Sequence, residues 1–346
     1  TIPCEMCIRD RDRIVPNPQS ADIMAMAAEA RAFRPDLVLG IGGGSALDSA
    51  KAVRAMACHE GDLDDYLGPQ ASRKLENRGP KLVLVPTTTG TGAEVTKFGV
   101  YTATSGRKYS LNSPLLQADA ALLVASLVAD IPPALLAATA YDALTHALET
   151  LWNKNATPLS DLTASDALCE LLTWFPVAYD ARKAGGSTGV TELLHAACAA
   201  GAAFNQTGTA AIHALSFVLS EEWHVPHGTA CAFFTEDVFD WNVQDEGTRA
   251  KLAAVQRRLA ATRHPDMAAA SDDGAIRLLR AELLSLKQHT GLPCSFADIA
   301  AAAGQNLDDA RIASLFDKVQ DDFKLKNNIR PLDVAAVRHL VGAKRA

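Results

Sequence analysis

The sequence predicts an α/β nucleotide-binding domain with a parallel sheet, followed by a second, all-α domain. Three observations carry this expectation. Short apolar runs that open into glycine- or threonine-rich loops occur only before about residue 131. Alanine- and leucine-rich segments with helical spacing fill the remainder. The length, 346 residues, exceeds a typical single core and suits two.

The elements follow in order. Residues 37–41 form a short apolar run, 42–45 a glycine turn and 46–57 a helical stretch, together half of a βαβ unit. A second run, 81–85, ends at Pro86 and opens into 87–92, so the pattern repeats and a parallel sheet follows. Between them, 68–80 is polar, contains Gly and Pro, and reads as surface loop. Beyond Ile131, residues 133–152, 158–174 and 191–203 read as helices, with turns at 185–187 and 291–293. We therefore divide the chain into an α/β part, 14–130, incomplete at its start, and a helical metal-binding part, 131–346. The chain starts at Thr1 and not at Met, and residues 1–13 show no helical or strand period, so we read them as a non-native leader on an N-terminally truncated chain. The Cys4 and Cys7 pair within them has ligand spacing but no second pair to complete a zinc site.

Composition narrows the function. A net charge of −7 with scattered lysines and arginines excludes nucleic acid as a partner. No apolar run approaches the ~20 residues that cross a bilayer, and nothing at the start resembles an export signal. Seven cysteines, an odd number without dense spacing, indicate reduced thiols and a cytoplasmic enzyme.

Two loops bear on a nucleotide. Gly42, Gly43, Gly44 and Ser45 stand at a strand-to-helix junction, where unpaired N–H groups and the positive end of the helix dipole favour a phosphate. The spacing is not G-x-G-x-x-G, and the same glycines also suit a tight turn that needs positive φ. Thr87, Thr88 and Thr89, with Gly90, Thr91 and Gly92, could hydrogen-bond the adenine, ribose or nicotinamide end of the same ligand, or form a plain polar loop.

The second set is metal-like. Asp142 and His146 are four residues apart on one helical face, which suits two ligands of one ion or an ordinary intrahelical pair. His213, in an apolar helical stretch, suits a core histidine unless it has company. His227, bracketed by Pro226 and Gly228 at a loop-to-helix boundary, supplies that company. Three imidazoles and one carboxylate, without a cysteine, make a hard-to-borderline site for Fe²⁺ or Zn²⁺.

These pieces, in this order, resemble the iron-containing alcohol dehydrogenase family from Val15 onward. The matching words are Pro16-Asn17-Pro18, residues 42–51, 86–96 and 142–149, and Pro226-His227-Gly228 followed by Trp241-Asn242. The resemblance implies a dehydroquinate synthase-like architecture and NAD or NADP as cofactor. It implies Gly43, Gly44 and Ser45 at the pyrophosphate, Asp48 near the nicotinamide, and Thr87 with Thr88 along the adenosine. It also implies Asp142, His146, His213 and His227 as ligands of Fe²⁺ or Zn²⁺. Such an ion binds the alcohol oxygen, lowers its pKa toward a metal-bound alkoxide and favours hydride departure to the nicotinamide. The substrate implied is a small alcohol or aldehyde.

The chain departs from the family in three places. Phe217 stands where many members have a second histidine, leaving His224 as a substitute proton relay. Val124-Ala125 replaces an Asp-Pro pair that the family often shows. The family's first βαβ stretch, which carries the acidic residue separating NAD from NADP, is absent from this sequence. A polyol dehydrogenase, a dehydroquinate-type synthase and a truncated, non-catalytic relative are the alternative readings, and a homo-oligomer is left open.

Overall fold

The computed structural model describes residues 10, 12, 14–263, 271–303, 319 and 322–342. Of the expected leader, residues 1–9, 11 and 13, with Cys4 and Cys7, lie outside the described residues.

Helix α1 (Ser20–Phe33) precedes β1 (Leu37–Gly42), α2 (Gly44–Met56) and β2 (Lys81–Pro86). Strands β1 and β2 pair in parallel from Leu37 opposite Lys81 to Gly42 opposite Pro86, which puts both glycine- and threonine-bearing loops at one edge of the sheet. An antiparallel hairpin follows, β3 (Phe98–Thr102) and β4 (Lys108–Asn112), and then β5 (Ala120–Ala121), parallel to β2 on its other side. The parallel sheet matches expectation. The hairpin does not figure in the sequence reading, although Phe98 to Thr102 and the turn at Gly106 carry its alternating pattern.

Helix α2 starts at Gly44, two residues before the expected 46. The three glycines are therefore not one long turn: among them only Gly42 has a positive φ, +150°. Gly44 is needed for a different reason, because a Cβ there would sit 2.8 Å from the Thr91 methyl. The two expected cofactor loops are thus in direct contact.

Buried cations hold α2 in place. Lys51, fully buried, donates to the Phe98 carbonyl at 2.6 Å and to Thr96 Oγ1 and Asp48 Oδ1, both at 3.3 Å. Asp48 Oδ2 accepts from the Val100 amide at 2.9 Å, tying α2 to β3. Arg54, also fully buried, donates to the Leu115 carbonyl and lies 3.7 Å from Asp119 before β5.

After Ala121 the elements described are helices: α3 (Ala125–Val128), α4 (Pro133–Leu151), α5 (Pro158–Lys183), α6 (Val190–Thr207), α7 (Ala211–Glu222), α8 (His227–Asn242), α9 (Glu246–Arg263), α10 (Asp272–His289), α11 (Phe296–Ala303) and α12 (Val334–Gly342), with short 3₁₀ turns such as Phe323–Asn327. Proline at the first position starts α4, where its missing N–H costs nothing. Pro158 does the same for α5, and Thr157 and Ser160 cap it reciprocally. Helix α5 runs to Lys183, past the expected end at 174 and through Pro176, since burial of Phe175, Ala178 and Tyr179 outweighs one lost backbone bond.

Helix α4 is the axis of the helical part. Asp142 to Leu151 are buried without interruption, and α5, α6 and α8 pack around it. Two glycines bring other elements flush against its backbone. A Cβ on Gly90 would lie 2.2 Å from the Thr139 carbonyl oxygen, and one on Gly228 would lie 2.0 Å from that of Ala138. The threonine loop and the start of α8 therefore meet α4 one turn before Asp142.

Candidate active site

Asp142 and His146 project from the same face of α4, and α7 and α8 bring His213 and His227 to them. The Nε2 atoms of His213, His227 and His146 lie 3.4, 3.7 and 3.8 Å from one atom, Asp142 Oδ1. Donors at about 2.1 Å from a tetrahedral ion stand roughly 3.4 Å apart, so these separations are those of a coordination shell. Asp142, His146 and His213 are buried, whereas the His227 side chain is 39% exposed and opens the cluster to the cleft.

The donor set passes a test that plain packing fails. Asp142 Oδ1 and His213 Nε2 are buried and make no hydrogen bond. Buried polar atoms almost always find a partner, and leaving one without costs ~1–3 kcal/mol. A cation among these atoms would satisfy both. Burial alone would raise the Asp142 pKa, but His146, His227 and His213 around it hold the carboxyl well below the usual range, so it is an anion. Burial, with His213 and His227 as neighbours, presses His146 down to about 3 against the pull of Asp142, leaving its ring neutral with a lone pair to give.

Two supporting residues escaped the sequence reading. Glu149, fully buried, accepts from His213 Nδ1 at 2.8 Å, which fixes the proton there and turns the Nε2 lone pair inward. The same carboxylate accepts the backbone amides of Ala210, at 2.6 Å, Ile212 and His213, so it also anchors the start of α7. Its place two turns below Asp142 on α4 was the available signal. Cys231, one turn after His227, is the second: its sulfur lies with the donor atoms of Asp142, His213 and His227 inside a group all within 4.8 Å of one another. The sequence reading named a ligand set without cysteine, and a cysteine sulfur stands beside that set. The i, i+4 spacing of His227 and Cys231 was visible, but nothing in the sequence set it apart from core packing.

A cleft of about 260 Å³ joins this cluster to α2. Gly44, Ser45, Asp48 and Thr91 line it at one end, and Asp142, His146, His213 and His227 at the other. No side chain caps α2, so its first amides are left for a ligand, and Ser45 Oγ accepts from the Asn17 amide at 3.3 Å. Gly43, Thr87 and Thr88 are not part of the cleft wall; Gly43 packs behind Gly44 on Thr88, whose buried Oγ1 has no hydrogen-bond partner. The Asp48 carboxylate is committed to Lys51 and Val100, so its role is to hold α2 and β3 together as much as to face a nicotinamide. His224, the expected proton relay, lies away from the cleft wall: it has a φ of +56° in the turn before α8 and is exposed, whereas His227 lines the cleft.

Apolar walls complete the cleft. The His146 ring stacks on Phe204 at 4.1 Å and on His213 at 4.7 Å, and Phe217 meets the His227 ring edge-on at 5.7 Å. Lys324 lines the same wall, its ammonium 3.7 Å from the Phe217 ring centre and 2.9 Å from Asp322 Oδ2.

Comparison with known proteins agrees with this architecture. Residues 7–124 match the family model for iron-containing alcohol dehydrogenase, and residues 136–343 match that for the C-terminal part of the Fe-containing alcohol dehydrogenase family. The chain is 33% identical over 329 residues to 1-propanol dehydrogenase of Citrobacter freundii, covering 95% of this chain and 83% of that protein. It superposes on the crystal structure of a 1,3-propanediol oxidoreductase with a TM-score of 0.85 at 26% identity, covering 96% of this chain and 83% of that one. The fold is also that of sulfoacetaldehyde reductase from Bifidobacterium kashiwanohense, solved with NAD⁺, with a TM-score of 0.84 at 24% identity over 96% and 82% of the two chains. The chain belongs to the iron-containing alcohol dehydrogenase family and is a metal-dependent oxidoreductase of alcohols or aldehydes.

Proposed function

We propose that Asp142, His146, His213 and His227 hold one Fe²⁺ or Zn²⁺, and that the substrate is a short-chain alcohol or its aldehyde. The observation that carries this reading is the single oxygen, Asp142 Oδ1, shared by three imidazoles in the cleft that α2 opens onto. When bound, the ion supplies a Lewis acid for the alcohol or carbonyl oxygen.

The chain's own residues do the rest. Glu149 holds His213 in one tautomer, and Phe204 with His213 clamps the His146 plane, so the donors are fixed before anything binds. Phe204 and Phe217 exclude water from the region beside His227 and set an apolar limit on the substrate. Gly44, Ser45 and the start of α2 receive the cofactor phosphates, with Thr91 beside them and Gly43, Thr87 and Thr88 shaping the loops behind. Asp48 and β3 line the cleft between α2 and His227, where a nicotinamide would be held.

The same reading divides the chain near residue 130, between the last strand at Ala121 and the start of α4 at Pro133. We read the chain as a cytoplasmic enzyme, the compartment that keeps thiols reduced. No described helix is long and apolar enough to cross a membrane, and Cys58, Cys169, Cys198 and Cys231 form no disulfide.

Elemental analysis of anaerobically purified protein, beside NAD(P)H-dependent aldehyde reduction, tests the proposal. About one iron or zinc per chain, lost together with turnover in His227→Ala, is the expected result. Full metal content and full activity in that variant would remove His227 from the ligand set.

A further inference from the structure

Cys231 is fully buried on α8, with Sγ 3.8 Å from His227 Nε2. With that nitrogen, the Asp142 carboxylate and the His213 imidazole, the sulfur closes a group of donor atoms all within 4.8 Å of one another. Zinc bonds run to about 2.3 Å for sulfur and 2.0–2.2 Å for nitrogen, which at a tetrahedral angle puts the two donors roughly 3.6 Å apart, so the separation of Cys231 Sγ from His227 Nε2 is that of two ligands of one ion. A cysteine beside a histidine is not in itself a site. Here it faces Asp142 Oδ1 and His213 Nε2, two buried atoms without a hydrogen-bond partner.

The direction of approach matters. Asp142, His146, His213 and His227 line the cleft, and Cys231 does not. A bond from its sulfur would come from the protein side and leave the cleft-facing position for a substrate oxygen. Building on the ligand assignment above, we propose that Cys231 binds the metal as a thiolate, a further donor beside Asp142, His146, His213 and His227. On binding, the S–H bond breaks, the proton leaves to solvent and the sulfur lone pair forms the metal bond, with no change in oxidation state. Thiolate and carboxylate together then neutralise a divalent ion, and the sulfur makes the centre softer than an all-nitrogen-and-oxygen set, tilting it toward zinc.

Cobalt(II) substitution of the full chain gives a direct readout without turnover. The cobalt protein is expected to show the visible d–d bands of bound cobalt together with an intense near-ultraviolet thiolate-to-cobalt charge-transfer band. Cys231→Ala, between Ala230 and Ala232, should lose the charge-transfer band and keep cobalt, whereas His146→Ala should keep the band. Bound cobalt with d–d bands and no charge-transfer band in the unmodified chain overturns the proposal and leaves the carboxylate and histidine ligands standing. A band that survives in Cys231→Ala also overturns it, by assigning the sulfur to another cysteine. Failure of the unmodified chain to bind cobalt at all overturns both this proposal and the ligand assignment beneath it.

Discussion

Adjacent residues of α4 face two buried polar clusters that differ in kind. Asp142 turns to the three histidines, while Tyr141 turns to a pair formed by Glu236 of α8 and Lys287 of α10. Both clusters are deeply buried, and both perturb ionisation: burial first, with Glu236 beside it, raises the Tyr141 hydroxyl well above its ordinary pKa. Burial and pKa therefore do not separate them. Hydrogen bonding does. The Tyr141 hydroxyl donates to Glu236 Oε1 at 3.0 Å or to the Leu283 carbonyl at 3.1 Å, and Lys287 donates to Glu236. In the histidine cluster, Asp142 Oδ1 and His213 Nε2 have no partner. A closed polar network fastens α4, α8 and α10 together, whereas an open one waits for a cation.

The comparison can be broken by substitution, and the largest effect belongs to the open cluster. His227→Ala should lower metal affinity and turnover together by more than the roughly 100-fold that the loss of an outer-shell partner causes, without lowering the thermal stability of the metal-free chain; metal content, aldehyde reduction and melting of the stripped protein check this. Next in size is Lys287→Met in the closed cluster. It strands Glu236 in the core and should cost about 3–5 kcal/mol in urea unfolding while leaving metal content unchanged. Loss of metal in that variant would mean the two faces of α4 are coupled.

Glu149→Gln sharpens the comparison from beneath the site. Replacing the carboxylate that orients His213 should weaken metal binding ~10–100-fold, read as the free-metal concentration at half occupancy. An unchanged midpoint would reduce Glu149 to a fastener of α7. The smallest effect is expected for Tyr141→Phe, which removes the hydroxyl shared by Glu236 and the Leu283 carbonyl and should cost toward the lower end of ~1–3 kcal/mol, with activity retained.

Much of the helical part was legible because its signals are local. Pro133 and Pro158 mark helix starts, and 185–187 and 291–293 fall between helices where their turn residues place them. The hairpin of β3 and β4 was missed because each strand is only five residues long and Lys108, Ser110 and Asn112 leave the second with little apolar signal. Its cost to the site reading was real, since Gly99, Val100 and Ser110 form part of the cleft wall. The glycine turn was found for an incomplete reason: contact with Thr91, more than backbone freedom, requires Gly44. His224 was misplaced because a position three residues from His227 says nothing about which ring the turn sends inward.

The sequence by itself determined that Asp142 and His146 share a helical face, that α2 begins at a glycine turn, and that His227 sits at a helix start. These are consequences of backbone period and steric preference, which act over a few residues. Only the tertiary structure decided that His213 and His227 close on the same Asp142 oxygen, that Glu149 locks one imidazole, and that Cys231 stands behind the donors. Donor spacing is set by how closely α7 and α8 pack on α4, and that approach depends on contacts such as Gly228 against the Ala138 carbonyl, between residues far apart in the chain.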